Sequence, residues 1–270
     1  MTNRTSAHDA PTRSFRTDIE GLRAVAILLV VAYHAGLPGF SGGYIGVDVF
    51  FVLSGYLITS LLLGELISTG SIHVVDFFAR RVRRLLAASA TTLVVCMLVS
   101  MVVYAPVEQD GLANTALATA GYASNLYFAR ASTDYLATPV HTNPLLHTWS
   151  LTVEEQFYFV WPFLMVLVGA GAIAADQRRR RLLITVAVLT TVTLAGAVYL
   201  TNTVQPWAFF LSPPRAWEFA LGGLCAVLLA SFLRDKQRRR VARARSLVGW
   251  GSVRSERQVS STATRSYSPG

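Results

Sequence analysis

Two side chains in the first apolar segment of this chain have the types and the spacing to do chemistry. Arg23 and His34 are eleven residues apart. A helix turns about 1100° over that separation, so both side chains share one face, about 16 Å apart along the axis. Ionisable residues within an apolar helix predict a functional site. A structural explanation fits the helix equally well: His34 would only hydrogen-bond a neighbouring helix, and Arg23 would only anchor the helix at the membrane interface.

Acidic side chains at the borders of other apolar segments would supply partners for this histidine. Asp48 lies in the second apolar segment, near His34 across a predicted hairpin, and Glu154 enters the fourth. A carboxylate beside an imidazole fixes its tautomer and raises its basicity, which suits a general base that acts on a hydroxyl. Each acid also has a structural explanation, since Asp48 could cap a helix. Arg215 and Glu218 are three residues apart and could simply pair along one helix.

A cluster of arginines lies between the second and third apolar segments, at Arg80, Arg81, Arg83 and Arg84. Guanidinium groups bind phosphates through paired hydrogen bonds, so the cluster could hold the phosphates of a soluble cytoplasmic donor. Such clusters are also common at the ends of membrane spans, and charge alone favours that simpler explanation.

The elements that must position these residues are transmembrane helices. Charged residues make up 14 % of the 270-residue chain, the mean hydropathy is +0.44, and the charges gather between long apolar runs. The pattern predicts an all-α polytopic membrane bundle of about six spans, each near 20 residues long. These spans are residues 22–39, 43–63, 85–105, 156–175, 182–200 and 217–233. Because the basic residues punctuate apolar runs, the net charge of +9 does not indicate nucleic acid binding.

The basic clusters also predict how the chain is divided and oriented. The N-terminal tail and the segments near 80–84, 178–181 and 234–245 are basic and fall on one side of a six-span chain. The excess of Lys and Arg in cytoplasmic loops therefore predicts a cytoplasmic N-terminus. Residues 1–20 are expected to be a cytoplasmic tail, 21–233 the membrane domain, and 234–270 a basic, disordered tail. A helix at the membrane surface is expected within residues 112–128, on the non-cytoplasmic side.

Five sequence blocks, in order, resemble integral-membrane acyltransferase family 3. The blocks are residues 15–34, 42–55, 77–84, 144–158 and 215–222. The opening signature of that family is an arginine, ten residues and a histidine, which matches Arg23 and His34. The resemblance implies a multi-pass protein of the bacterial inner (cell) membrane that moves an acyl group, commonly acetyl, from cytoplasmic acyl-CoA to a hydroxyl of a cell-surface carbohydrate or glycolipid.

The resemblance also implies roles for individual residues. His34 would take the proton of the acceptor hydroxyl, and Asp48 or Glu154 would orient its imidazole. The donor phosphates would be held by four arginines: Arg23, Arg80, Arg81 and Arg84. The expected partners are acyl-CoA, the carbohydrate acceptor and the lipid bilayer, with no metal and no cofactor other than the donor substrate.

The number of spans departs from the family pattern, which has about ten. We therefore expect either a naturally short form or a truncated, catalytically inactive membrane fragment. Coding sequence for further apolar spans just downstream in another frame would favour the fragment. A transporter would also explain intramembrane charges, but the sequence lacks the paired interrupted helices of transporter repeats.

Overall fold

The computed structural model describes residues 16–134, 142–169 and 175–263, and within these ranges the chain forms helices joined by short turns. The helices are α1 (Thr17–His34), α2 (Gly46–Thr69), α3 (Val74–Val103), α4 (Pro106–Ala120), α5 (Ser124–Ala131), α6 (Thr148–Gly169), α7 (Ala175–Thr203), α8 (Gln205–Phe210) and α9 (Ser212–Ala263). A short 3-10 helix, Gly43–Ile45, leads into α2. The described part of the chain contains no strand, which confirms the all-α prediction.

Among the residues that the structure describes, five segments are long and apolar enough to cross a membrane. They are Gly43–Thr69, Val74–Val103, Thr148–Gly169, Asp176–Thr203 and Ser212–Gln237. They correspond to five of the six predicted spans. The sixth prediction falls on α1, whose 18 residues include Asp18, Glu20 and Arg23. Its placement in the membrane stays a prediction, since α1 is not among these five segments.

The first two helices form the hairpin that the turn residues predict. Gly36 and Gly39 have φ of +66° and +87°, a region that glycine enters without strain. The two helices then pack closely, because a Cβ on Gly46 would overlap the backbone of α1. They are offset along their axes. Arg16, at the start of α1, donates to the Tyr56 hydroxyl (3.4 Å), only about halfway along α2.

The core lies where α2, α6 and α9 meet. The rings of Phe51 and Phe157 both stack on Phe219, at centroid distances of 4.5 and 4.4 Å. Two glycines, Gly55 and Gly222, allow this contact, because a Cβ on either would overlap a carbonyl oxygen of the facing helix. Small residues that let backbones approach closely are the usual means of helix packing in membranes. The three helices therefore form the frame that holds the polar residues described below.

The bundle has two distinguishable ends. At one, which we call the basic end, Arg179 at the start of α7 pairs with Asp235 of α9 (3.7 Å). At the other, the histidine end, the rings of His34 and His147 lie 4.5 Å apart. The helices α2, α6 and α9 run from the histidine end to the basic end. The basic segments 178–181 and 234–240 therefore share one end, as the sequence predicts.

Two expectations for the outer segments change in detail. Residues 234–263 continue α9 as helix, so the disorder expected there is not observed. Residues 234–245 are mostly Arg, Ala, Lys and Gln, which favour helix. Residues 264–270 lie outside the described residues. The single helix expected within 112–128 is two helices, α4 and α5, separated at Gly121.

Candidate functional site

Arg23 lies inside the bundle between two carboxylates. Its Nη1 is 3.3 Å from an oxygen of Glu20, one turn away on α1, and its Nη2 is 3.7 Å from Oε1 of Glu154 on α6. The guanidinium also covers the ring of Phe50 at 4.7 Å. Phe50 belongs to the first half of α2, at the histidine side of the bundle. Because α1 is offset along α2, Arg23 faces α6 inside the bundle.

Glu154 is a buried acceptor at the centre of this contact. Its Oε1 accepts hydrogen bonds from the Ser54 hydroxyl (2.7 Å) and from the Tyr158 hydroxyl (2.7 Å). Only 6 % of its side chain is exposed. The prediction that Glu154 orients His34 is not supported by these contacts. The reason is that α6 begins at Thr148, before the predicted span, and carries Glu154 about 9 Å into the bundle.

Arg81 is held by the next residue of α6. Its Nε and Nη2 donate to the two oxygens of Glu155, at 2.9 and 2.6 Å. Its guanidinium also lies 3.5 Å above the ring of Tyr158. Two arginines from different helices, both predicted to bind the donor, therefore meet adjacent glutamates of α6. We call this group the acid–arginine cluster: Arg23, Arg81, Glu154, Glu155, Ser54 and Tyr158.

The other arginines of the predicted donor site are less constrained. The arginines of residues 80–84 lie within α3 and not in a loop before it, because α3 begins at Val74. Arg80 is exposed, and Arg83 is exposed with its Nε donating to the Ala79 carbonyl of its own helix (3.2 Å). The side chain of Arg84 lies outside the described residues, so its donor role stays a prediction.

His34 is the last residue of α1, and one hydrogen bond defines its tautomer. Its Nδ1 is 2.8 Å from the Val30 carbonyl oxygen. A carbonyl oxygen only accepts, so in the neutral ring Nδ1 carries the hydrogen and Nε2 keeps a lone pair. The side chain is exposed and lies against Tyr33 and His147. The geometry therefore leaves Nε2 in the form that a general base requires.

His147 has no role that its sequence pattern predicts. Its ring meets that of His34 edge to face, at an interplanar angle of 85°. Partial desolvation, and second the charge of a protonated His34, lower the pKa of His147 below its ordinary 6.5. We call the two residues the histidine pair. His147 stands in a block quoted for the family resemblance, but it precedes α6 in a turn, where no helical periodicity could assign it a neighbour.

Asp48 does not reach the histidine pair. It accepts a hydrogen bond from Arg215 of α9 (2.9 Å), and Arg215 also donates to Glu218 (2.7 Å). The prediction that Asp48 orients His34 is therefore not supported, since Gly46 begins α2 beside Ala26 and directs Asp48 towards α9. The predicted pairing of Arg215 with Glu218 is confirmed. The three charges join α2 to α9 next to the aromatic core.

The site thus contains two kinds of chemistry. The acid–arginine cluster offers guanidinium groups, which bind phosphate. The histidine pair offers an imidazole nitrogen that accepts a proton. No group of three or more His, Cys, Asp or Glu side chains in the described ranges is placed to hold a metal ion. On the residues present, the arrangement suits transfer of a group from a phosphate-bearing donor to a hydroxyl.

Comparison with known proteins gives one family. The profile of a family described as an acyltransferase domain matches residues 16–252, which is most of the chain. The peptidoglycan O-acetyltransferase OatA of Listeria monocytogenes is 41 % identical over 158 residues, 58 % of this chain and 25 % of that protein. The putative peptidoglycan O-acetyltransferase YrhL of Bacillus subtilis is 34 % identical over 226 residues, 82 % of this chain and 34 % of that protein.

A third relative, the O-acetyltransferase OatA of Staphylococcus aureus, is 37 % identical over 150 residues, 56 % of this chain and 24 % of that protein. The chain thus spans between about a quarter and a third of the length of these relatives. No solved structure matches the chain.

Proposed function

The chain belongs to the acyltransferase family whose profile it matches, and from this premise we propose that it is a membrane O-acyltransferase. It would move an acetyl group from cytoplasmic acyl-CoA to a hydroxyl of a cell-wall carbohydrate. The relatives support the acceptor part of the proposal, since OatA of Listeria monocytogenes is described as a peptidoglycan O-acetyltransferase and YrhL of Bacillus subtilis as a putative one.

One observation supports the proposal most strongly: the blocks of the family resemblance converge in space. Arg23 and Arg81 are 58 positions apart in the sequence, on α1 and α3, and meet the adjacent carboxylates Glu154 and Glu155. His34 is on the same helix as Arg23 and lies beside the start of α6. Salt bridges that only stabilised the fold would not require α1 to have both an arginine of the acid–arginine cluster and a histidine whose Nε2 is available.

The proposed reaction begins when the acceptor hydroxyl comes within hydrogen-bonding distance of His34 Nε2. The imidazole takes the hydroxyl proton as the oxygen attacks the thioester carbonyl of acyl-CoA. The new C–O bond forms and the C–S bond breaks. The resulting imidazolium, held by the bond from Nδ1 to the Val30 carbonyl, returns the proton to the leaving thiolate, so that CoA departs as a thiol.

The arginines would hold the donor during this reaction. Arg23, Arg80, Arg81 and Arg84 would bind the phosphates of CoA, a role that suits the fixed donors of guanidinium groups. This assignment requires that the donor enter from the cytoplasm. We accordingly propose a bacterial cell-membrane location with the N-terminus and the basic end on the cytoplasmic side, following the excess of Arg in those segments.

Transfer of radiolabelled acetyl groups from acetyl-CoA to cell-wall saccharide, in membranes that contain the full chain, tests the proposal. We expect His34→Ala to lower the transfer rate by about 100-fold or more, the usual contribution of a general base. The matched control is His73→Ala. His73 is also exposed but bonds to Glu65 near the start of α3, so its loss should leave transfer within about twofold. Retained transfer by His34→Ala at normal expression would contradict the role of His34.

A further inference from the structure

Arg81 differs from the other described arginines of α3 in being fixed on two sides. We propose that Glu155 and Tyr158 are positioning residues that clamp the Arg81 guanidinium and present its free edge to the phosphates of the donor. The inference rests on the proposed function, since it concerns the same donor site. Neither Glu155 nor Tyr158 has a role in the reaction steps given above.

The hydrogen bonds show which part of Arg81 is occupied. A guanidinium has five N–H donors in a rigid planar fork. Glu155 accepts one from Nε and one from Nη2, along one edge. Among the described residues no partner is recorded for Nη1, and 23 % of the Arg81 side chain is exposed. One edge is therefore held by protein, and the edge that carries Nη1 is left for a ligand.

The aromatic ring fixes the remaining freedom. The bidentate bond to Glu155 restrains the guanidinium within its plane, and Tyr158, 3.5 Å beneath, defines the plane itself. The exposed fraction of Tyr158 is only 4 %, and that of the Glu155 side chain is 13 %. Both partners are thus firmly placed. A long arginine side chain that is ordered before binding loses less entropy when a phosphate arrives, which is how preorganisation raises affinity.

Arg83 provides a contrast within the same helix. It is exposed, and its recorded side-chain bond is to a carbonyl of its own helix. If charge alone attracted the donor, Arg83 would serve as well as Arg81. If orientation decides, then of these two arginines only Arg81 should contribute strongly to donor binding. The pair of residues therefore separates a positioned site from a general basic surface.

Tyr158 also connects the clamp to Arg23. Its hydroxyl donates to Glu154, the carboxylate that faces Arg23, while its ring supports Arg81. The two functions can be separated by substitution. Tyr158→Phe removes the hydroxyl and keeps the ring, so Arg81 should stay oriented. Tyr158→Leu removes the planar surface as well.

The test is binding of acetyl-CoA to the full chain purified in detergent, with transfer rates measured in parallel. We expect Glu155→Gln to weaken acetyl-CoA binding and raise the donor KM about tenfold, the scale of one lost charge-assisted contact. The kcat at saturating donor should stay within about twofold, since the variant leaves His34 intact. Glu155→Asp should recover part of the affinity, and Tyr158→Leu should lose more than Tyr158→Phe. Arg83→Gln is the control and should bind within about twofold of wild type.

A double variant distinguishes positioning from mere stabilisation of the fold. If Glu155 acts through Arg81, then Arg81→Gln with Glu155→Gln should bind acetyl-CoA no more weakly than Arg81→Gln alone. Additive losses, or wild-type affinity in a Glu155→Gln variant, would overturn the inference while leaving the proposed function standing. A wild-type chain that fails to bind acetyl-CoA would overturn the donor assignment itself, and this inference with it.

Discussion

The acid–arginine cluster and the histidine pair are both polar groups in an apolar bundle, but they are held very differently. In the cluster, each arginine contacts a carboxylate of α6 and an aromatic ring, and Glu154 accepts from two buried hydroxyls. In the histidine pair, both side chains are exposed, and a single recorded hydrogen bond fixes His34. The first region holds its arginines against carboxylates and aromatic rings, whereas the second leaves a ring nitrogen of His34 available.

This difference suits the two tasks that the proposed function assigns. Phosphate groups carry a permanent charge, and a site for them gains from guanidinium groups that are oriented in advance. A general base must instead keep an unused lone pair and reach a hydroxyl that arrives from outside. A buried and fully bonded imidazole could do neither. The contrast predicts that variants of the cluster act mainly on stability and donor affinity, and variants of the pair mainly on turnover.

The largest expected effect on stability is in the cluster. Glu154→Ala would leave Arg23 without its buried partner and two hydroxyls without an acceptor. We expect a loss of about 3 kcal/mol in the free energy of unfolding, typical of a buried ion pair that loses one member. Thermal unfolding of the full chain in detergent measures it.

The control for this prediction uses the other carboxylate on the same arginine. The Glu20 side chain is 40 % exposed, so Glu20→Gln should cost less than about 1 kcal/mol, as exposed ion pairs usually do. Equal losses in the two variants would contradict the claim that Glu154 is the buried centre of the cluster.

Much of this arrangement follows from the sequence, and the parts that do not have a physical reason. Helix periodicity places Arg23 and His34 on one face. In the structure Arg23 contacts Glu154 of α6, and His34 contacts His147, which directly precedes α6. Hydropathy predicts the helices because apolar length is a local property. The offset of α1 along α2 is not local, since it depends on Gly46 meeting the backbone of α1. The contacts of Arg23 with Phe50 and Glu154 depend on that offset.

The partners of the acids were harder to predict for the same reason. Asp48 pairs with Arg215, which is 167 residues away in the chain. They come together because α2 and α9 pack closely, as the contacts at Gly55 and Gly222 show. By contrast, the pairing of Arg215 with Glu218 depends on spacing within one helix, and the sequence predicts it correctly. Interactions within a helix were predictable, and interactions between helices were not.

The next prediction concerns the histidine pair. His147→Ala removes the ring that meets His34 edge to face, so the imidazole loses its recorded neighbour from outside α1. We expect turnover to fall by up to about tenfold, the scale of one aromatic contact, with the donor KM unchanged. His147→Phe keeps a ring in place and should recover much of the rate. A rise in donor KM in either variant would contradict the claim that the histidine pair acts on turnover and not on donor binding.

The smallest expected effect is on the pH dependence of stability. The pKa of His147 is lowered in the folded chain, so the unfolded chain binds more protons at pH values around and below the ordinary 6.5. Stability should therefore fall slightly as the pH drops through that range. The thermal midpoint of wild type should decline a little more than that of His147→Gln between about pH 7 and pH 5. An equal decline would contradict the lowered pKa.

The most direct test of the division between the two regions is to measure acetyl-CoA affinity and acetyl transfer for His34→Ala and Arg81→Gln side by side. We expect His34→Ala to bind acetyl-CoA within about twofold of wild type but to transfer acetyl groups at least about 100-fold more slowly. Arg81→Gln should bind about tenfold more weakly and recover most of its rate at saturating donor. If His34→Ala lost donor affinity as severely as Arg81→Gln while both transferred equally slowly, the two regions would not have separate tasks, and the account would be wrong.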